Sequence, residues 1–284
     1  MARHIACLTF DVDTWSGFIA KGLTTPTPIS RGEFGIVGIK RILSLLERYD
    51  IKASWFIPGM VIAAYPEACE AIVAAGHEVG HHGWTHVPPA DLAPGVEAHE
   101  MQRANEEIRR LTGRGAAGYR SPAWDISDRT VDLLLQHGFL YESSMMGNDH
   151  CPYYVRKGDV ISTTEPPVFG EKTSLIEMPI SWSLDDFPHF EFLRTPGYVL
   201  PGLTGGDQVL SNWTADFDFM AQTEDWGVLT YTFHPYVTGR GHRMLVLEKL
   251  IQHLVNKNAV FMTMERAALE FSRKVKAEEL TPYP

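Results

Sequence analysis

HIACLTFDVD, at residues 4–13, indicates the fold class. His4–Phe10 is an apolar run of the kind that forms a buried β-strand, and it ends at the polar DVD. Ile36–Tyr49 follows with apolar residues at helical spacing, and Ile51–Ile57 is a second strand-like run closed by a Pro-Gly pair. A strand, a helix and another strand in this order are typical of a parallel β/α unit.

The same alternation continues along the chain. Further strands are expected at His77–Gly80, Phe139–Ser143, Leu175–Ile180, Val228–Phe233 and Ala259–Met264. Further helices are expected from Pro66 to Gly76, over Glu97–Leu111, over Ser127–His137 with Ser127 as N-cap, on the stripe Leu247, Leu250, Ile251 and Leu254, and from Glu265. Seven or eight strands without a glycine-rich phosphate loop favour a barrel over a dinucleotide-binding fold. No linker divides the chain, so we predict a single α/β domain over residues 1–284.

Composition excludes several classes of protein. The chain has 284 residues, of which 25 are basic and 35 acidic, so its formal net charge is −10. This acidic balance argues against a nucleic-acid or anionic-membrane partner, and no apolar run is long enough to span a bilayer. Three scattered cysteines form no disulfide framework. Asp11 lies too near the start to leave room for a secretory leader, so we expect a cytoplasmic protein.

Two stretches do not follow the alternating pattern. Gly147–Lys172 and Ser183–Gly206 are long and rich in proline, glycine and aromatic residues. Segments of this length in a compact domain are usually functional or form an interface. We expect them to close over the strand ends as a lid or to form a contact between subunits.

The first polar cluster follows the first strand. Asp11 and Asp13 are alternate residues, so they point to one side of the chain if it stays extended. Two carboxylates so close either repel each other or share a cation. The simpler interpretation of the same residues is a solvated turn.

The second cluster is HEVGHHGWTH, at residues 77–86. His82 and His86 are four residues apart, a spacing that can direct two imidazoles at one ion. With Asp13 they make a set of two histidines and one carboxylate, which leaves coordination positions open for water and substrate. The alternative is a structural histidine cluster without a metal.

Two more clusters follow predicted strands. GYRSPAW contains Arg120, which is either a surface charge or a donor that holds a carboxylate ionised. TYTFHP contains His234 at the tip of its strand. In a barrel the carboxyl ends of all strands meet at one face, so the four clusters are expected to form one site.

In their order, TFDVD, HGWTH, RSPAW and FHPY resemble the polysaccharide deacetylase superfamily, also called the NodB-homology fold or carbohydrate esterase family four. The resemblance runs from Thr9 to about Met264. It implies a distorted (β/α) barrel. It also implies a divalent metal, usually zinc, with nickel, cobalt and manganese as alternatives, and hydrolysis of an amide, typically the N-acetyl group of an amino sugar.

The resemblance also implies the role of each residue. Asp11 is the expected base, Arg120 orients it, and His234 is the expected acid. The expected metal ligands are Asp13, His82 and His86. The expected substrate contacts are Trp15, Trp124, Asp149, His150 and Tyr153. For the aromatic residues, and for Trp84, the competing interpretation is simple core packing.

The motifs depart from the common family pattern at two places. Val12 separates the two aspartates, which are usually adjacent, and Trp124 replaces a tyrosine. Together with YESSMMGNDHCPYY and HPYVTGRGHR, these departures resemble a cytosolic branch that includes cyclic imide hydrolases, allantoinase-like proteins and a Helicobacter-type peptidoglycan deacetylase. The substrate is therefore either an amino-sugar amide or a small cyclic imide or ureide, and a non-catalytic metal-binding or ligand-binding protein is a remoter alternative. We also expect a homo-oligomer, a dimer or a tetramer.

Overall fold

The computed structural model describes residues 2–195 and 197–274. Its strands are β1 (Arg3–Asp11), β2 (Ser54–Ile57), β3 (Glu78–His81), β4 (Gly118–Tyr119), β5 (Tyr141–Glu142), β6 (Tyr153–Lys157), β7 (Glu171–Glu177), β8 (Leu193–Arg194), β9 (Val199–Leu200), β10 (Trp226–Phe233) and β11 (Val260–Phe261). Its helices are α1 (Ser16–Ala20), α2 (Pro26–Arg48), α3 (Gly59–Ala64), α4 (Pro66–Ala74), α5 (Val96–Thr112), α6 (Thr130–Gln136), α7 (Asp186–Phe190), α8 (Gly206–Thr223), α9 (Pro235–Thr238), α10 (Gly241–Asn256) and α11 (Met264–Lys274).

The main sheet has the order β10-β1-β2-β3-β4-β5-β7-β6, with β11 also paired to β1. All of these pairs are parallel except β6 with β7. The sheet curls into the distorted (β/α) barrel that the sequence predicts, so the fold class is confirmed. Among the described helices, none combines the length and apolarity needed to cross a membrane.

Alternate residues of β1 pack into two different cores. Ala6, Leu8 and Phe10 belong to the core formed with the surrounding helices. Ile5 and Cys7 belong to the core inside the curl of the sheet, and Asp11 continues their side of the strand. The period of two therefore directs the strand-end carboxylate into the barrel opening.

Helix α2 packs unusually close to two strand-end loops. A Cβ added at Gly32 would lie 2.5 Å from backbone atoms of Thr14 and Trp15, and one at Gly38 would overlap the carbonyl oxygen of Pro235. Only a residue without a side chain allows such an approach of backbones. Through these contacts α2 supports the loop after β1 and the turn after β10.

Several predicted boundaries and elements are corrected. Helix α6 begins at Thr130 rather than Ser127, whose hydroxyl instead accepts the N–H of Arg129 and donates to Glu97. The stretch 147–172 contains β6, and the stretch 183–206 contains α7, β8 and β9, although both were expected to lack regular structure. Helix α8 was missed, yet its buried face repeats at helical spacing, with Val209, Trp213, Phe217 and Met220.

Candidate active site

Four polar clusters converge at the carboxyl end of the barrel. Asp11 ends β1, His82 follows β3, Arg120 follows β4 and His234 follows β10. All four side chains are buried. Parallel neighbours place their carboxyl ends at the same edge of the sheet, which is why residues far apart in sequence meet here.

Asp13 lies between two histidines. Its Oδ1 is 3.3 Å from Nε2 of His82, and its Oδ2 is 3.1 Å from Nε2 of His86. The three side chains are buried, and a ligand atom from each lies within 4.8 Å of the other two. A carboxylate oxygen and two imidazole nitrogens at this separation can hold one divalent ion.

Hydrogen bonds leave the inner atoms of this group without partners. Nδ1 of His82 is 2.8 Å from the carbonyl oxygen of Arg120, so Nδ1 carries the proton and Nε2 presents a lone pair. Within the described residues, Asp13 Oδ1 and His82 Nε2 are buried and have no hydrogen-bond partner. Buried polar atoms normally have partners, and a cation between these two would supply one.

The charges of the group also favour a cation. Burial alone would raise the pKa of Asp13, but three neighbouring histidines outweigh burial and hold this pKa well below its usual value. Burial lowers the pKa of His86, while Asp11 and Asp13 outweigh burial at His82 and raise its pKa. The carboxylates that attract a proton to His82 would attract a metal ion in its place.

Left-handed backbone conformations are frequent around the site. His86 has φ +63°, Thr14 φ +48°, Ala123 φ +55° and Trp124 φ +56°. Each costs free energy in a residue with a side chain, and such residues cluster at functional sites. In HGWTH and RSPAW these left-handed residues reverse the direction of the chain sharply at the carboxyl ends of the strands.

Arg120 holds Asp11 in place. Its Nη1 donates to Oδ1 of Asp11 at 2.8 Å and to the hydroxyl of Thr9 at 2.8 Å. Its Nε donates to the carbonyl of Ser143 at 3.1 Å, and Nη2 donates to the hydroxyl of the same serine at 3.1 Å. A buried guanidinium fixed on two sides keeps the carboxylate beside it oriented.

His234 is oriented by two aspartates that the sequence analysis did not identify. Its Nδ1 donates to Oδ1 of Asp186 at 2.7 Å, and its backbone N–H donates to the same carboxylate at 3.0 Å. Nδ1 is also 3.4 Å from Asp185, while Nε2 lies 3.6 Å from Oδ2 of Asp13. Burial alone would lower the pKa of His234, but these aspartates, led by Asp185, raise it well above its usual value. Burial raises the pKa of Asp185 itself to about 8.

A cavity of about 160 Å³ opens onto these groups. The rings of Trp124 and Trp182 stack at its wall with centroids 4.1 Å apart. The stretch 183–206 contributes Asp185, Phe187 and Leu193 to the lining. None of the lining residues described comes from 147–172, so of the two long stretches only the second forms part of the cavity wall.

The predicted substrate contacts are divided by the structure. Trp124 lines the cavity, whereas the other four lie outside its described lining. Trp15 donates its Nε1–H to the hydroxyl of Tyr65, and Tyr153 accepts a hydrogen bond from the backbone of Gly147. The carbonyl of His150 accepts a hydrogen bond from the N–H of Val228 near the amino end of β10, and Asp149 is exposed next to it. Trp84 packs against the guanidinium of Arg103.

Comparison with known proteins identifies relatives of nearly the whole chain. A family model described as polysaccharide deacetylase matches residues 37–141. A peptidoglycan deacetylase from Helicobacter pylori is 36% identical over 96% of this chain and 98% of its own. The solved structure of a Mycobacterium smegmatis protein assigned as a polysaccharide deacetylase is 27% identical and covers 100% of this chain and 95% of its own, with a TM-score of 0.84. The Puue allantoinase structure, 20% identical over 97% of this chain and 93% of its own, has a TM-score of 0.76 and shows a shared fold.

The relative from Helicobacter pylori and this chain match along nearly their whole lengths. Identity at that level over both chains indicates common descent. We conclude that the chain belongs to the polysaccharide deacetylase family of amide hydrolases.

Proposed function

We propose that the protein is a metal-dependent hydrolase of the carbon–nitrogen bond of a compact, non-peptide amide, with the N-acetyl group of an amino sugar as the first candidate. The observation that carries the proposal is the arrangement around Asp13. One ligand atom each of Asp13 and His82 is buried and has no hydrogen-bond partner among the described residues. On one side of these atoms lies the carboxylate of Asp11, which is paired with Arg120. On the other side lies the imidazole of His234, which is paired with Asp186. This set contains a cation site, a base and an acid.

Asp13, His82 and His86 would hold the metal. A second group, Asp185, Asp186 and His234, also has its ligand atoms within 4.8 Å of one another. Its imidazole Nδ1 and backbone N–H already donate to Asp186, so that group has less to gain from a cation. Two nitrogens and one oxygen suit zinc first, with nickel, cobalt and manganese as alternatives. When bound, such an ion lowers the pKa of a water to about 7 and polarises the amide carbonyl.

Asp11 would act as the base. Its Oδ1 is committed to Arg120, while Oδ2 lies 3.9 Å from Nε2 of His82 and faces the proposed metal group. Oδ2 is therefore placed to take the proton of an attacking water. The hydrogen bond from Arg120 prevents the carboxylate from rotating away before that transfer.

His234 would act as the acid. Its raised pKa keeps the imidazole protonated at neutral pH, and Asp186 fixes the Nδ1 proton so that Nε2–H faces the cavity. An amine leaves an amide only when its nitrogen is protonated. Nε2 of His234 would donate that proton, a contribution of about 10²–10⁴ in rate.

The cavity supports a compact substrate. A cavity of about 160 Å³ beside the stacked tryptophans suits one sugar ring or a small cyclic imide or ureide better than a polymer. Cyclic imides and ureides are the second candidate class, because the same wall of Trp182 and Phe187 would enclose a small planar ring.

The test combines metal analysis with a substrate panel. We expect bound metal in the purified protein and turnover of either an N-acetylglucosamine oligomer series or of succinimide-type rings and allantoin. If kcat/KM climbs steadily with oligomer length and is absent on the rings, the compact-substrate part is wrong. A metal-loaded protein that turns over no amide would favour a non-catalytic binding protein instead.

The proposal has two further parts that rest on the sequence. A cytoplasmic location and assembly into a dimer or tetramer stay predictions. Fractionation of the native cells and light scattering of the purified chain measure each of them directly.

A further inference from the structure

We infer that Lys21 is a specificity-determining residue whose ammonium binds a carboxylate on the substrate, so that the preferred amides are anionic. The inference rests on the proposed function and names the substrate class of that site. It comes from the position of α1, the short helix that follows the loop of Asp13.

Helix α1 lies directly against the proposed metal ligands. A Cβ added at Gly17 would be 3.6 Å from Nδ1 of His86 and 3.8 Å from Oδ2 of Asp13. Lys21 follows Gly17 by four residues, the spacing that places two side chains on the same face of a helix. Lys21 lines the cavity, and its Nζ lies 3.2 Å from the carbonyl of Gly17.

The ammonium of Lys21 has no carboxylate partner among the described residues. Its recorded hydrogen bond goes to a neutral carbonyl, and no ion pair within 4.0 Å includes it. By contrast, the guanidinium of Arg120 and the imidazole of His234 are held by Asp11 and Asp186. Among the described side chains that line the cavity, Lys21 therefore offers an anion an ammonium that no carboxylate already holds.

Electrostatic coupling supports this placement. Lys21 is exposed to solvent at the edge of the cavity, and partial desolvation there lowers its pKa while the charge of Asp13 partly restores it. The charge of the Lys21 ammonium thus acts on Asp13, a proposed metal ligand that the substrate amide must approach. A carboxylate bound to Lys21 would fix the distance between the anionic end of the substrate and its scissile bond.

A carboxylate fits this position better than a phosphate does. Lys21 offers a single point charge directly after α1. Phosphate sites often use an arginine fork, and no arginine is among the lining residues described. A singly charged anion needs only the one ammonium.

The experiment compares two substrate pairs in which one member carries a carboxylate and the other does not. The first is N-acetylmuramic acid against N-acetylglucosamine, and the second is dihydroorotate against dihydrouracil. In whichever pair is hydrolysed, we expect wild-type kcat/KM to favour the anionic member. Lys21→Met should lower the ratio of anionic to neutral kcat/KM about tenfold or more, the worth of one charge-assisted hydrogen bond. Lys21→Arg should retain most of the ratio.

Lys52→Met is the matched control. Lys52 also donates to a carbonyl at a helix end, that of Ala75 at 2.8 Å, but it does not line the cavity. We expect this variant to keep both rates and their ratio. An unchanged ratio in Lys21→Met, or a wild-type protein without preference for the anionic member, would overturn the inference and leave Lys21 as a cap on the carbonyl of Gly17.

Failure of the proposed function can be separated from failure of this inference. If no amide is hydrolysed, calorimetric binding of N-acetylmuramic acid still compares wild type with Lys21→Met. Tighter binding to wild type supports the role of Lys21 although hydrolysis has failed. Equal binding, or none, overturns it.

Discussion

Three side chains crowd around one buried point at the carboxyl end of the barrel, and each supplies one proposed ligand atom. We predict that Asp13→Ala, His82→Ala and His86→Ala each lose the metal, because two remaining ligands hold a divalent ion poorly against water. Mass spectrometry of purified, dialysed protein measures the bound ion. Full metal occupancy in His82→Ala would show that the ligand assignment is wrong.

His81→Ala is the control for these variants. Although His81 is adjacent to His82, its Nε2 contacts the carbonyl of Met101 at 3.1 Å and its ring packs against Tyr119 and Phe139. Removal of this buried ring should lower stability while metal content stays normal. Its thermal transition therefore has to be followed together with its metal content.

Asp11 and His234 should behave differently from the ligands. Asp11→Asn and His234→Ala are expected to keep the metal and to reduce turnover by at least about 100-fold, since each removes one proton transfer. Steady-state rates on metal-saturated protein provide the measurement. Near-normal turnover in Asp11→Asn would remove this carboxylate from the proposed mechanism.

At this scale the sequence predicted the residues that follow strands and missed those that reach the site through a loop. His82, Arg120 and His234 stand directly after β3, β4 and β10, so period and strand position were enough to gather them. Asp185 and Asp186 lie at the start of the short helix α7, in a part of the sequence where no period indicates a direction. In the sequence, two adjacent aspartates were the only indication of a functional group here. Their role in orienting His234 follows from their contacts with its imidazole in the structure.

Among the elements, α2 makes the tightest contacts with the loops of the site. We predict that Gly38→Ala destabilises the fold by about 1–3 kcal/mol, because the new methyl group would overlap the rigid carbonyl of Pro235. The same displacement should move His234 and reduce turnover. Chemical denaturation and steady-state rates test both effects. Gly241→Ala, at a position with open space around it, should be near neutral in both.

The adjacent ends of β5 and β7 bury two carboxyl groups. Glu142 is paired with Glu177 in the ladder, and both are fully buried. Burial, followed by the charge of Glu142, raises the pKa of Glu177 well above its usual value of 4.5, so the folded protein keeps a proton there. The unfolded chain releases that proton. The free energy of unfolding should therefore fall by about 1.4 kcal/mol per pH unit above about 4.5, until the folded pKa is reached.

Glu177→Gln should remove this slope, because an amide has no proton to release. Urea denaturation at about pH 5 and about pH 8 should show the variant gaining stability relative to wild type at the higher pH. Glu171→Gln, at the exposed start of the same strand, should follow wild type at both. Parallel pH dependences in Glu177→Gln and wild type would mean that Glu177 is already ionised in the folded protein.

The sequence predicts helices and strands that bury one face, because their apolar residues recur at a fixed period. It does not predict strands whose conformation depends on pairing with another strand. Helix α5 runs over Val96–Thr112 and ends at Gly113, within a residue or two of the predicted Glu97–Leu111. Strand β6 was read as loop because Pro152 and nearby glycines suggested turns. Its strand conformation depends on antiparallel pairing with β7, which no local pattern of residues encodes.

For the whole molecule, the proposed metal should act as a ligand of the folded state alone. A free ion at about 100 times its dissociation constant would stabilise the fold by about 2.7 kcal/mol. Chelation should therefore abolish turnover and lower Tm by several degrees, and added zinc should restore both. The His82→Ala protein should show no zinc-dependent shift. Calorimetry with and without chelator provides the measurement, and an identical Tm for both wild-type forms would contradict the metal site.

The pairing of β1 with β10 has a consequence for biosynthesis. Thr9 donates its hydroxyl hydrogen to the carbonyl of Tyr231, 222 residues later in the chain. At ribosomal rates of about 5–20 residues per second, the first strand waits roughly 10–45 s for its neighbour. During that interval an apolar strand with the carboxylate of Asp11 at its tip has one unpaired edge. The nascent chain therefore depends on protection of its first ten residues until its last third has been made.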